Sequence, residues 1–74
     1  MNGKIVSDYS PSALRDRRMA EGLTQGQLEQ AVGAKPGDVA RWELGTRGIP
    51  EDILKRLAFM LRCDVKDLMM GGKV

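Results

Sequence analysis

The side chains available in this sequence exclude several kinds of catalysis. The chain has no histidine and one cysteine, Cys63, whereas Ser-His-Asp, Cys-His and zinc sites are built from imidazoles and thiolates. Carboxylates are present, but none forms a recognisable pair beside a segment that would line a pocket. We therefore expect no enzyme activity, no catalytic or metal-binding residue, no cofactor and no small-molecule ligand. Cys63 lies among apolar neighbours near a predicted helix end and is expected to pack as a small hydrophobic residue.

The charged residues permit a nucleic-acid partner without requiring one. The 74-residue chain carries 12 Lys and Arg against 10 Asp and Glu, a formal net charge of +2, and the two signs alternate along Arg15-Asp16-Arg17-Arg18. A positive surface must therefore arise from the way in which the fold arranges these residues. The longest apolar run, from Leu57 to Leu61, is far shorter than the ~20 residues of a membrane span. No signal-peptide core follows Met1, so we expect a cytoplasmic protein without a membrane partner.

Helix-capping residues in the first half of the chain predict two short helices. Ser10-Pro11 supplies an N-cap and a proline at the first helical position. Thr24-Gln25-Gly26-Gln27 has the spacing of a capping box and opens the second helix. Gly33 ends this helix, which can bury three small or apolar residues at helical spacing: Leu28, Ala31 and Val32.

Proline, glycine and acidic residues predict three further helices in the second half. Pro36 suits the first position of a third helix, which Gly45 ends. Pro50-Glu51-Asp52 places a proline and two acids at the positive end of a fourth helix dipole. Asp64, followed by Asp67, predicts the N-cap and first turn of a fifth helix. The pattern therefore predicts an all-α domain.

The second and third helices have the length and connection of a helix-turn-helix unit. The features that add to this pattern are apolar positions, glycines and charged positions in register from about Leu14 to Leu68: Leu14-Arg15 through Arg18, Gly22-Leu23-Thr24-Gln25, Leu28, Val32-Gly33, Val39, Arg41-Trp42-Glu43, Gly45, Pro50, Leu57-Ala58 and Leu61. With these residues the chain resembles the Cro and phage-repressor (XRE-type) helix-turn-helix family.

The resemblance implies a compact five-helix, repressor-like domain. The residue pattern sets its bounds at 11–70, after an N-terminal arm at 1–10 that has no helical stripe and before a flexible tail at 71–74. Only Ile5-Val6, within the arm, resembles a strand. The resemblance also implies a DNA-binding transcriptional regulator, most often a repressor, that binds double-stranded DNA as a homodimer. The alternative on the same fold is a protein-interaction module, such as an antirepressor or an antitoxin-like partner.

The same resemblance assigns roles to three polar positions. Gln25 matches a glutamine that relatives place against a DNA phosphate, although it could also be an ordinary polar residue of the first turn. Arg18 and Glu43 match a largely buried ion pair that ties the first helix to the end of the third. Trp42 could stack on a base, but its spacing beside Val39 favours a place in the core.

The predicted recognition helix departs from the family at its start. Relatives tend to place Ser, Thr, Gln, Asn or Arg at this position, whereas this chain has Lys35-Pro36-Gly37-Asp38. We therefore expect direct contacts to the bases mainly from Lys35 and Arg41, since both can donate to guanine. Asp38 either accepts from cytosine or caps the helix, and the cap is favoured. The backbone at Gly37 can approach DNA closely because it has no side chain. The expected DNA-binding set is Gln25, Lys35, Pro36, Gly37, Asp38, Arg41, Thr46 and Arg47.

Two further expectations concern residues that are unusual for the family. Glu29 stands where relatives usually have alanine, and we expect it to pair with Arg17 at the surface. Four large apolar residues lie outside the expected core and suggest a dimer interface, unless this small domain covers them itself: Phe59, Met60, Met69 and Met70.

Overall fold

The structure, a computed structural model, describes residues 3–70. Within this range the chain forms four α-helices, two short strands and one 3-10 turn. The elements are β1 (Ile5–Val6), α1 (Pro11–Ala20), α2 (Gln25–Val32), α3 (Asp38–Leu44), β2 (Ile49–Pro50), α4 (Glu51–Met60) and the 3-10 turn Val65–Leu68. No helix in the described part of the chain is long and apolar enough to cross a membrane.

The expectation of five α-helices in an all-α domain is wrong at both ends of the chain. The segment after Asp64 forms only the 3-10 turn, because the backbone is already extended at Met69. The Asp64 amide donates to Asp67 Oδ2 at 2.9 Å, which stabilises this short turn. At the other end, β1 pairs with β2 in antiparallel register and adds a small sheet.

Helix boundaries follow the capping residues in the first half of the molecule. Ser10 Oγ accepts from the amide of Ala13 at 3.2 Å at the start of α1. Thr24 Oγ1 accepts from the Gln27 amide at 3.0 Å, and Gln27 Oε1 accepts from the Thr24 amide at 2.9 Å. The predicted capping box at the start of α2 is therefore confirmed.

The N-terminal segment packs along the domain. Tyr9 is buried, and its hydroxyl donates to the carbonyl of Arg47 at 2.7 Å. The Ser10 amide donates to Leu68 O at 2.7 Å, so this segment also contacts the C-terminal end of the domain. A side chain at Gly48 would meet Ile5, so the glycine permits the close approach of β1. The predicted tail at 71–74 lies outside the described residues.

A single core joins all the helices. α1 packs against α3, and α2 packs against both α3 and α4. The largest fully buried side chains are apolar and come from every helix, from β2 and from the 3-10 turn: Trp42, Leu14, Leu28, Ile49, Leu57, Leu61, Leu68, Val32 and Val39. On α2 the expected burial of Ala31 is wrong, because that residue is exposed while Glu29 is buried.

Candidate nucleic-acid interface

Helices α2 and α3 form the predicted helix-turn-helix, but α3 starts later than expected. Gly33 takes a left-handed conformation, with φ of 76°, and ends α2. Residues 34–37 then form the connection, in which the Asp38 amide donates to Lys35 O at 3.0 Å. Pro36 therefore lies in a turn before the helix, and the prediction that it opens α3 is wrong. Gly37 is the N-cap, and its φ of 91° is a conformation that favours glycine.

Glu29 holds the start of α3 from the neighbouring helix. Gly37 has no side chain that could cap the helix, which leaves the first amides of α3 in need of acceptors. The buried Glu29 carboxylate on α2 accepts from the Gly37 amide at 2.9 Å and from the Val39 amide at 3.1 Å. The expected surface pair with Arg17 is therefore wrong. Arg17 instead lies 4.0 Å from Asp67.

Three cationic side chains surround the exposed side of α3. Arg41 lies on the helix and Arg47 in the loop that follows, and about half of each side chain is exposed. Asp38 Oδ1 lies 3.5 Å from Arg41 Nη1 and 3.6 Å from Arg47 Nη1. Lys35 is also exposed, and its backbone amide donates to Asp38 Oδ2 at 3.1 Å. Asp38 is the first residue of α3, and its side chain bonds to the backbone of the preceding turn, so the expectation that it caps the helix is wrong. The same carboxylate faces both arginines.

Arg18 and Glu43 form an ion pair with little exposure, 12% and 6% of their side chains. Arg18 Nε donates to Glu43 Oε2 at 2.6 Å, and Nη2 donates to Oε1 at 3.1 Å. A third donor, Arg18 Nη1, reaches Leu23 O at 2.8 Å. Hydrogen bonding to Glu43 raises the pKa of Arg18, which keeps the guanidinium charged. The pair thus joins α1, the turn before α2 and α3.

Gln25 completes this network instead of extending freely into solvent. Its Nε2 donates to Glu43 Oε1 at 3.0 Å. An amide nitrogen carries two hydrogens, so the bond to Glu43 orients the side chain and uses one of them. Gln25 lies at the first position of α2, where backbone amides also point out of the helix.

Comparison with known proteins decides the family. The model of a family described as a helix-turn-helix domain matches residues 12–68, more than half of the chain. The chain belongs to this helix-turn-helix family.

Two solved structures are similar to this helix-turn-helix domain. The clp gene regulator ClgR from Corynebacterium glutamicum is 26% identical with a TM-score of 0.74, and the match covers 82% of this chain and 65% of that one. The chain therefore spans slightly less than two thirds of ClgR. The restriction-modification controller protein C.AhdI from Aeromonas hydrophila is 29% identical with a TM-score of 0.74, covering 80% of this chain and 89% of that one. A comparison with curated protein sequences finds no match.

Trp42 and Cys63 belong to the packing of the helix-turn-helix domain. Trp42 is buried, and its Nε1 donates to Gly48 O at 3.2 Å, so the core interpretation is confirmed. Cys63 is partly buried against the core, and burial raises the pKa of its thiol. A raised pKa reduces the thiolate fraction and therefore the reactivity of the side chain.

The four apolar residues expected at a dimer interface do not share one environment. Met60 and Met69 are partly buried and pack against the core, so the expectation that they lie outside it is wrong. Phe59 is 81% exposed and Met70 is also exposed. Of these four residues, only Phe59 and Met70 therefore offer large apolar surface to a partner.

Two residues with a role at this interface were missed or misassigned by sequence reasoning. Tyr9 holds the backbone of Arg47 through its hydroxyl, and no local pattern pointed to that contact. Glu29 was recognised as unusual for the family, but its partners proved to be the amides of Gly37 and Val39. The available signal was Gly37, which precedes α3 and has no side chain to cap it. The amides at the start of the helix therefore needed an acceptor from another segment.

Proposed function

We propose that this protein is a DNA-binding transcriptional regulator that inserts α3 into the major groove of double-stranded DNA. The observation that carries the proposal is the set of exposed cations on one side of the helix-turn-helix, Lys35, Arg41 and Arg47. Two similar structures support it, because ClgR is a clp gene regulator and C.AhdI is a restriction-modification controller protein.

The positions of the cations suggest a division between base and phosphate contacts. Arg41 lies one turn into α3, where it can donate to guanine O6 and N7, and Lys35 lies just before the helix as a second reader. The missing side chain of Gly37, next to exposed Pro36, allows the backbone to approach the groove. Arg47 lies beyond the helix, where contacts to the DNA backbone are expected.

Gln25 and Thr46 complete the proposed phosphate contacts. Gln25 is oriented by Glu43 and retains a second amide hydrogen that can donate to a phosphate. Thr46 follows α3 directly, and its hydroxyl donates to Arg41 O at 3.2 Å in the free protein. On DNA the same hydroxyl hydrogen would donate to a phosphate in place of Arg41 O. The same loop therefore carries Thr46 and Arg47 beside the recognition helix.

We further propose that the protein acts as a homodimer and represses by occupying its site. Two-fold symmetry would place the recognition helices about one DNA turn apart, roughly 34 Å. The exposed ring of Phe59 at the end of α4 is the proposed centre of the interface, with Met70 as a second apolar contact. Occupation of an operator by such a dimer excludes other proteins from the same DNA.

One observation favours a protein-interaction module as the second candidate. Leu44, on α3 itself, is 75% exposed, and recognition of a protein surface uses exposed apolar side chains more than recognition of DNA does. Asp38 also reduces the positive charge of this face. In this reading α3 contacts a protein partner instead of base pairs.

Arginine substitutions distinguish the two candidates. On a duplex selected from random DNA by the wild-type protein, Arg41→Ala should weaken binding by about 1–3 kcal/mol and relax preference at one base pair of each half-site. Arg47→Ala should weaken binding to selected and unrelated duplexes alike and reduce the salt slope by about one unit.

The matched control is Lys66→Ala. Lys66 is exposed on the 3-10 turn, which packs against α1 and α4, so its loss should change DNA binding little. If Arg41→Ala and Arg47→Ala bind selected DNA as the wild type does, the regulator proposal is wrong. If they instead weaken capture of a protein partner equally, the second candidate replaces it.

A further inference from the structure

Asp38 lies at the centre of the cations that we assign to DNA. One oxygen, Oδ2, accepts from the Lys35 amide at 3.1 Å. The other, Oδ1, lies within 3.6 Å of the guanidinium groups of both Arg41 and Arg47. Only 14% of the Asp38 side chain is exposed, against 50% and 56% for the two arginines. The carboxylate is therefore fixed on one side by backbone and covered on the other by the groups expected to contact DNA.

In the free protein the Arg41 side chain lies against Asp38, with Nη1 3.5 Å from Oδ1. Its guanidinium folds back towards the start of α3, where Nη1 lies 3.1 Å from the place that a Cβ of Gly37 would occupy. A side chain at residue 37 would crowd this conformation, whereas glycine accommodates it. To reach a guanine, Arg41 must leave Asp38, and Arg47 must do the same to reach a phosphate.

Breaking these contacts has a different consequence on matching and unrelated DNA. On unrelated DNA the carboxylate loses its arginines and faces phosphates and the acceptor atoms of bases, which disfavours binding. At a base pair that presents the exocyclic amine of cytosine, Oδ1 gains a donor in exchange. A carboxylate at this position therefore penalises most sequences and accepts a few.

We propose that Asp38 is a specificity-determining residue, which holds Arg41 and Arg47 in the free protein and accepts from a cytosine amine when the protein binds its site. This inference rests on the proposed DNA-binding function. It goes beyond the bond to the preceding turn, because that bond uses Oδ2 whereas specificity uses Oδ1, the oxygen that faces the arginines. It also accounts for an acid among three cations on a surface proposed for DNA.

The test removes the charge and keeps the bond to the preceding turn. Asp38→Asn retains an oxygen for the Lys35 amide, and Asp38→Ser is a second variant that also supplies an acceptor oxygen. Asp64→Asn is the matched control, because Asp64 is an exposed N-cap residue of the 3-10 turn and asparagine caps equally well. Binding is measured by fluorescence anisotropy on a duplex selected by the wild type and on an unrelated duplex, at the same salt concentration. Thermal unfolding establishes that each variant is folded.

Asp38→Asn should bind the unrelated duplex about tenfold more tightly, an effect limited by the weakness of exposed ion pairs. Its affinity for the selected duplex should stay unchanged or fall, so the specificity ratio falls by about tenfold or more. Selection from random DNA with this variant should lose the cytosine preference and favour adenine, which asparagine reads through N6 and N7. Asp38→Ser should show the same loss of ratio without the adenine preference.

Two results would overturn the proposal and leave the proposed function intact. If Asp38→Asn matches Asp64→Asn on both duplexes, Asp38 only stabilises the turn before α3. If it tightens binding to both duplexes equally, Asp38 reduces affinity without setting specificity. A wild type that binds neither duplex, together with variants that bind neither, would instead refute the DNA-binding function itself.

Discussion

Removal of the Glu29 carboxylate should weaken the start of α3 more than any other single change on α2. Glu29 is 8% exposed and is the one buried charged residue within residues 3–70. Its Oε2 serves two amides, those of Gly37 and Val39. α3 has only seven residues and no cap from its own N-cap residue, so these bonds replace the local cap that other helices obtain from Ser, Thr, Asp or Asn.

The magnitude follows from the two bonds. A hydrogen bond to a charged group contributes about 1.5–3 kcal/mol, and a buried donor left without a partner costs about as much. With two such bonds, Glu29→Ala should lower the free energy of unfolding by about 3–6 kcal/mol. Glu29→Gln keeps the size and one acceptor oxygen but loses the charge, and should cost about 1–2 kcal/mol. In a domain of this length that smaller loss corresponds to a fall of roughly 4–16 °C in melting temperature.

Urea unfolding followed by Trp42 fluorescence measures these differences, since Trp42 is the only tryptophan and lies on α3. Gln30→Ala is the control, because Gln30 is exposed on the same helix and its loss should change stability by less than about 0.5 kcal/mol. If Glu29→Ala is as stable as Gln30→Ala, the carboxylate does not hold the start of α3, and the account of the helix boundary is wrong.

Three further changes have defined outcomes. Glu43→Ala should destabilise by about 3–5 kcal/mol because Arg18, whose side chain is 12% exposed, loses its carboxylate partner and keeps only the bond to Leu23 O. The double replacement Arg18→Met with Glu43→Leu should recover much of this loss in denaturant unfolding. A Glu43→Ala variant as stable as wild type would contradict this account. Tyr9→Phe should cost about 1 kcal/mol through the lost bond to Arg47. Burial raises the pKa of Tyr9 above its usual value. The stabilisation by the neutral phenol is therefore complete below about pH 10 and is lost as the pH rises through the folded-state pKa. If the stabilities of wild type and Tyr9→Phe fall in parallel above about pH 10, the titration of Tyr9 is not the cause of the loss. Phe59→Glu should convert a wild-type dimer into a monomer in sedimentation at high micromolar concentration, and two monomers would remove the proposed interface.

The sequence predicted those parts of the fold that depend on neighbouring residues. Ser10 and Thr24 cap the helices that they were expected to cap, and Gly33 and Gly45 end helices in left-handed conformations. These signals act within one turn of the chain and can be read without tertiary structure. The helix-turn-helix therefore followed from capping and from the spacing of core residues.

The parts that failed depend on contacts between distant segments. Pro36 satisfies the local rule for a helix start, but the geometry of α3 is set by a carboxylate eight residues before Gly37 on another helix. The pairing of Ile5 with Pro50 and the bond from Tyr9 to Arg47 join residues more than 35 positions apart. The sequence pointed to Lys35, Arg41 and Arg47 around the third helix, whereas the pairing of Asp38 with both arginines appears only in the folded chain.

The central claim, that this face binds the phosphate backbone and bases of duplex DNA, is tested most directly by a salt titration of the wild-type protein on an unrelated duplex. Each neutralised phosphate contributes about 0.9 to the slope of log K against log salt. The surface carries three exposed cations, Lys35, Arg41 and Arg47. We therefore expect affinity to fall with salt, with a slope of about −2 or steeper per protomer. A protein that shows no binding at low salt, or an affinity that does not change with salt, would contradict the account.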